Sequence, residues 1–323
     1  WCAKNPRPDW RGVRCHPRAN PANRVENDVE VASPFALPDV ARLSRKLILR
    51  YWPAIMLAKL LRRLVRFVRP GGGSALPGLV LSKVAPNLLR NVLLTFPRGI
   101  AVVSGSAGKS TTTKMMVAIA RAHGLVVFTN PSTANILQGF YSAILEKCDW
   151  RGRVVADVAI LEMDEGHAAS LLREVKPRQV TILNVTDDQL DRFVDPELVR
   201  DKLQSVAAAA TEAVILASDD QNCLLIAAKQ EEAKRVSWFG APYASSAEIR
   251  GLGFANTFSE PLDTPAPNTS VLSLVGQSAQ FNVAGRETTV SLPNRGLHYA
   301  LDAAAALESS RRLLANFSPD KAA

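Results

Sequence analysis

Short apolar runs recur through the middle of the chain, at Ile100–Val103, Leu125–Phe128, Val158–Leu161, Val180–Leu183 and Ala213–Leu216. Their positions are apolar throughout or nearly so, as a strand buried on both faces requires. The stretches between them carry helical spacing: Ser110–His123, Ile136–Lys147, Ala168–Val175 and Pro196–Ala210. Such alternation predicts a doubly wound α/β fold on a mostly parallel sheet. Residues 270–292 alternate more strictly, which predicts a small antiparallel β portion. His298–Asn316 has the pattern of a closing helix.

Ahead of this core, residues 41–69 predict a helix. Leu57, Leu60, Leu61, Leu64, Val65 and Val68 repeat at helical spacing, and Lys59, Arg62, Arg63 and Arg66 fall on another face. Two readings stand. The helix packs on its own domain and leaves a solvated basic face, or it meets a membrane surface or an anionic lipid substrate. It is not a transmembrane span, because Arg50, Lys59, Arg62, Arg63 and Arg66 interrupt every window of about 18–20 apolar residues. Gly71 to Ser74 form a flexible break. The first 40 or so residues, rich in Pro, Arg and Asn up to residue 38, read as a disordered or non-native leader. Their acidic run from Glu26 to Glu30 argues against a transit peptide.

A length of 323 residues, 47% hydrophobic and 21% charged, allows two domains or one large domain with appendages. The net charge of +9 is uneven: residues 1–97 hold 17 Lys and Arg against 5 Asp and Glu, and the rest hold 22 against 25. Because the basic charge sits in one segment without interleaved aromatics, nucleic acid is the weakest partner class. The four cysteines, Cys2, Cys15, Cys148 and Cys223, form no C-x-x-C pair and predict neither zinc nor a disulfide framework. Sparse thiols of this kind fit a reducing cytoplasm.

The strongest chemical signal follows the first buried run. Gly105-Ser106-Ala107-Gly108-Lys109-Ser110-Thr111 turns a strand into a helix. Two glycines let the backbone wrap phosphate oxygens, and the helix start adds free N–H groups and positive dipole. Lys109 would reach the β and γ phosphates, and the Ser110 hydroxyl would bind Mg²⁺. Val103 stands where the longer phosphate-loop pattern has glycine, so the match is the shorter G-x-x-G-K-[ST] form.

This loop resembles that of the Mur ligases, ATP-dependent ligases of folate and peptidoglycan synthesis, with Ala107 where Asn or Lys is usual. Further segments carry the resemblance. Thr129 to Asn135 is similar to the family's T-x-x-N segment, which implies nucleotide contacts for Thr133 and Asn135; its alternative is a strand-to-helix turn capped by Ser132 or Thr133. Glu162 closes the Val158–Leu161 run at the position of the magnesium-binding Glu, or is a solvated strand end. Asn184 to Phe193 looks like N-x-x-x-D-H-x-D, with Gln189 in place of His; Asp188 and Asp191 would orient Mg²⁺ or nucleotide, or be acids favoured at a helix N-terminus. Gly296 to Ala305 resembles the segment in which His298 meets the nucleotide, but Tyr299 and Asp302 replace two asparagines that tend to contact adenine.

The D-Q-x-D-R-F form points to one branch, the MurT-like subunits of lipid II isoglutaminyl synthase. The resemblance implies an α/β central ATP-binding domain over residues 98–317, behind a basic helical segment at 41–97. Lys109, Glu162 and Asp188 would be catalytic. The nucleotide would rest on Gly105, Ser106, Ala107, Gly108, Lys109, Ser110, Thr111, Thr133, Asn135, Asn184 and His298, with Mg²⁺ on Ser110 and Glu162. It further implies amidation of the D-glutamate α-carboxyl of lipid II through an acyl phosphate, with ammonia from a GatD-like glutaminase partner. The place implied is the cytoplasm, with peripheral contact at the inner membrane face an option. No zinc ribbon is expected, since residues 241–268 lack Cys, and the family's C-terminal domain is expected to be absent or truncated. Two alternatives remain: a Mur or folylpolyglutamate-type amino-acid ligase, and a non-catalytic nucleotide-binding homologue.

Overall fold

The computed structural model describes residues 50–68, 75–130, 137–164, 166, 168, 171–172, 175–186, 196–230, 235–255 and 264–322. The leader expected over the first 40 residues and the break expected from Gly71 to Ser74 lie outside the described residues. The described strands form one sheet in the order β2-β3-β1-β4-β5-β6-β7-β8-β9. They are β1 (Ile100–Ser104), β2 (Val127–Phe128), β3 (Val158–Glu162), β4 (Gln179–Ile182), β5 (Ala213–Ala217), β6 (Val236–Gly240), β7 (Thr269–Val275), β8 (Ser278–Val283) and β9 (Arg286–Ser291). From β2 to β7 along the sheet the strands pair in parallel, and β7-β8-β9 are antiparallel. The doubly wound, mostly parallel sheet and the antiparallel portion are thus present as predicted. Every residue of β1, β3, β4 and β5 is buried, which is why their runs do not alternate.

Boundaries differ by small amounts. The run Leu125–Phe128 yields only a two-residue strand, because Leu125 N bonds back to Ala120 O and Val126 N to the Asp157 carboxylate. Some elements lie outside the predicted set. Strand β6 is one; its apolar run is broken by Ser237 and by a half-buried Trp238.

The helices are α1 (Trp52–Val68), α2 (Ala75–Val84), α3 (Leu88–Leu93), α4 (Lys109–Ala122), α5 (Leu137–Lys147), α6 (Pro196–Ala208), α7 (Gln221–Ala228), α8 (Ser246–Arg250) and α9 (Leu297–Leu313). Helices α7 and α8 are also unpredicted, while α2 and α3 fall within the segment expected to be helical at 41–97 without having been placed individually. All are short, and α7 begins at an Asp220 cap whose side chain accepts from Asn222 N. The predicted helix at 168–175 falls partly on residues outside those described. Helix α9 lies against α4, β5, β6 and β7, and its Ala300 and Ala303 to Ala306 are buried, which allows a close approach. Glu308, fully buried on α9, accepts from the Ser237 hydroxyl, from Thr269 Oγ1 at 2.8 Å and from Arg311 Nε and Nη2 at 2.9 and 2.6 Å. That network ties the closing helix to two strands and gives the buried carboxylate a cation and two hydroxyls in place of water.

Helix α1 packs on its own domain, as the first reading had it, and its basic face is solvated only in part, with Arg63 exposed. It packs on α2 and α5 through Ile55 and Ala58. On the same side Lys59 Nζ donates to Cys148 O at 2.7 Å and Asp149 O at 3.1 Å, and Arg62 pairs with Glu146 at 2.8 Å. The physical cause is the carbonyl-rich end of α5, which attracts cations. Leu57, Leu60 and Leu64 are consequently turned outward. No helix among the described residues is long and apolar enough to cross a membrane.

Candidate functional site

The site is built where β1, β3 and β4 end, at the carboxyl edge of parallel strands where such sheets leave a crevice. The chain leaving β1 turns at Gly105, with φ of +133°, and enters α4 through Gly108, with φ of +83°. Both lie in the left-handed region that favours glycine. A Cβ at Gly105 would also press on the backbone of Leu183 and Asn184, at 3.0–3.2 Å. Chain crowding and dihedral angle therefore both exclude a side chain there.

Asn184 holds the loop from the neighbouring strand end. Its carbonyl accepts from Ser106 N at 3.0 Å, its Oδ1 accepts from Ala107 N at 2.8 Å, and its Nδ2 donates to Ala107 O at 3.3 Å. Ser106 Oγ in turn accepts from Thr186 N at 3.1 Å. Asp220, at the start of α7, fixes the same strand end by accepting from Val185 N at 2.7 Å. Burial pushes the Asp220 carboxyl up to about 6 even though these backbone N–H groups favour its charged form.

Lys109 Nζ lies over the loop, donating to Gly105 O at 2.5 Å and Ser106 O at 2.9 Å. Ser110 Oγ lies 2.9 Å from each carboxylate oxygen of Glu162. Glu162 is 3% exposed, and burial raises its pKa against the pull of Ser110, Lys109 and Lys114. A hydroxyl and a carboxylate converging beside a phosphate loop form a hard-oxygen donor pair suited to Mg²⁺, which keeps its other positions for water and phosphate. Among the described residues no group of three or more His, Cys, Asp or Glu side chains gathers for a metal.

His298 is exposed at the start of α9 and lines a cavity of about 270 Å³ together with Ala107, Gly108, Asn184 and Asp302. Thr111 lines a separate groove between α4, β9 and α9. Gly105, Ser106, Ala107, Gly108, Lys109, Ser110, Glu162 and Asn184 are thus gathered about one loop, with His298 bordering the cavity beside it, while Thr111 lines another groove. Thr133, Asn135 and Asp188 lie outside the described residues, as do Gln189 and Asp191.

Two residues that the sequence places within resembling segments make contacts it does not reveal. Asn130, buried after β2, accepts from Glu162 N through Oδ1 and donates to Glu162 O through Nδ2, both at 3.0 Å. It fixes the backbone that aims the Glu162 carboxylate. Replacing it by alanine is expected to cost about 2 kcal/mol of unfolding free energy in a urea titration; an unchanged midpoint would show that this bridge carries no weight. Asp302, which is 7% exposed, lies against the loop so closely that a Cβ on Gly108 would come within 2.1 Å of its Oδ1. Burial pushes its carboxyl up to about 7, with the Thr112 hydroxyl pulling the other way.

Comparison with known proteins accords with this geometry. The family model of the Mur ligase middle domain matches residues 103–308. The MurT subunit of the glutamine-hydrolyzing lipid II isoglutaminyl synthase of Staphylococcus aureus (strain COL) is 30% identical over 172 residues, covering 53% of this chain and 38% of that protein. The same-named subunit of Streptococcus pneumoniae (strain ATCC BAA-255 / R6) is 34% identical over 126 residues, covering 39% and 27%. In fold, the chain is similar to the MurF ligase of Thermotoga maritima, solved in complex with ADP, with a TM-score of 0.55 and 20% identity over 76% of this chain and 51% of that one. The chain spans well under half the length of the two MurT relatives.

Proposed function

Because the chain belongs to the Mur ligase family through its middle domain, we propose that it is the ATP-using part of a carbon–nitrogen ligase that amidates the D-glutamate α-carboxyl of lipid II. The observation that carries ATP use is the convergence of Lys109, Ser110 and Glu162 on the loop between β1 and α4. The choice of substrate is supported by the MurT relatives and by the D-Q-x-D-R-F segment.

ATP with Mg²⁺, when bound, would supply the phosphoryl group that turns the carboxylate into an acyl phosphate. The chain's own part is positioning and charge. Loop N–H groups and the α4 N-terminus would take phosphate oxygens. Lys109 would exchange its carbonyl partners for phosphate, and Ser110 and Glu162 would hold the metal. Asn184 keeps Ala107 in register with the β4 end while His298 borders the cavity beside the loop. Residues 98–317 act as the nucleotide-binding unit in this reading. Ammonia would come from a GatD-like glutaminase partner, and the work would be done at the inner face of the membrane.

The test is phosphate release by the full protein with its glutaminase partner, lipid II and glutamine. Release that requires lipid II and glutamine, or ammonium in place of glutamine, is the expected result. Release that requires an amino acid instead would replace this reading with the amino-acid ligase, and no release under any combination would overturn ATP-dependent ligation altogether.

A further inference from the structure

The outward face of α1 is apolar. Leu57, Leu60, Leu64 and Phe67 follow one another at i, i+3, i+7 and i+10, which places them within roughly 80° of one another at 100° per residue. Their exposures are 58%, 55%, 55% and 88%, and Trp52, at the helix start, is 48% exposed. Such a stripe has no counterpart in an ordinary solvated helix, where the polar side faces water. The sequence around it lacks compensating acids, with no Asp or Glu between Asp39 and Glu146. Among the described residues, the acids that lie close in space, Glu146 and Asp149, are paired with Arg62 and Arg153. Arg50 and Arg63 are exposed beside the stripe, and Arg63 lies 5.6 Å from the centre of the half-exposed Trp150 ring.

We propose that this face of α1 is a membrane-docking surface, with Leu57, Leu60, Leu64 and Phe67 entering the boundary between headgroups and acyl chains of an anionic bilayer. Charge complementarity selects the occupant: exposed apolar side chains flanked by arginines, on a segment without acids, match an anionic lipid surface. A second copy of the same helix would bring like charges together. The internal contacts of Lys59 and Arg62 hold the helix in the orientation that turns its apolar face outward, so the surface is presented without rearrangement. The inference is independent of the lipid II reading, since it concerns bulk lipid and not a lipid-linked peptide.

The experiment is co-sedimentation of the full chain with vesicles free of any peptidoglycan precursor, either phosphatidylcholine alone or phosphatidylcholine with phosphatidylglycerol. Partitioning onto the anionic vesicles should exceed that onto neutral ones by roughly tenfold at low salt. The triple variant Leu60→Gln, Leu64→Gln, Phe67→Gln should lose it while melting at the same temperature. Lys109→Ala should keep it, which separates this surface from the nucleotide site. Equal partitioning onto both vesicle types, partitioning onto neither, or undiminished binding by the triple variant overturns the proposal. So does a full chain that self-associates in solution while the triple variant stays monomeric, because a second copy is then the occupant.

Discussion

Lys109→Ala is expected to weaken magnesium–ATP binding by at least roughly a hundredfold, which corresponds to about 3 kcal/mol or more. The magnitude follows from position. The ammonium hangs over the loop, held by Gly105 O and Ser106 O, on the side from which a triphosphate would approach the α4 N-terminus. Backbone N–H groups supply only partial positive charge there, so the side chain is the full cation that the loop itself contributes. Lys109→Arg should not restore binding, since a planar fork is wider than the ammonium the loop accommodates. Folding should survive in both variants, because the side chain is part-exposed and water can take over the two carbonyls. Isothermal titration with magnesium–ATP, paired with thermal melts, separates the effects. An alanine variant that binds as tightly as the parent would remove the loop from any account of this protein's chemistry.

The second large effect concerns Asp302. Its carboxyl titrates near 7 in the fold against an ordinary value of 3.8, and burial is the main cause. The folded state therefore keeps a proton that the unfolded chain has already lost. Between about pH 4 and 7 stability falls as pH rises, and above 7 the full penalty is present. At about 1.4 kcal/mol per unit the penalty reaches up to about 4 kcal/mol. Asp302→Asn, nearly the same shape and never charged, should raise unfolding free energy by up to that amount at pH 8 and by almost nothing at pH 4. Nucleotide affinity should move in parallel. The charged carboxylate adjoins Gly108, where phosphates would lie, so the asparagine variant should bind ATP roughly tenfold more tightly at pH 8 and should lose the dependence between about pH 6 and 8. A gain that is the same at pH 4 and pH 8 would mean that packing, not the proton, separates the two side chains.

How far these features can be read from sequence depends on whether their cause is local. The buried strands announce themselves because both faces of β1, β3, β4 and β5 are covered, so four or five consecutive positions are shielded from water. The loop is legible for a similar reason: Gly105 and Gly108 answer to backbone angles, which are a property of the positions themselves. Strand β6 escapes because Ser237 turns inward to bond Glu308, a polar inward position that the apolar-run criterion rejects. The bridge from Asn130 to Glu162 and the approach of Asp302 to Gly108 escape because those partners lie far away along the chain, and spacing carries no trace of such contacts. Helix α1 is the most instructive case. Its period is legible, but period gives a face without saying which way the face points. Two carbonyls at the end of α5 and a glutamate on it make that choice.

A sheet of this width raises the matter of containment, since its outermost strands carry backbone groups that another chain can pair with. Here the two margins are blunted differently. On one side β2 is only two residues long, too brief a template for a stray strand to register against. On the other, β9 presents exposed Arg286 and Glu287 at its start, so an identical strand laid alongside meets charge before it meets apolar surface. The described sheet is thereby guarded against lateral growth without closing into a barrel, and a nine-stranded platform can keep its edges in water without recruiting its neighbours.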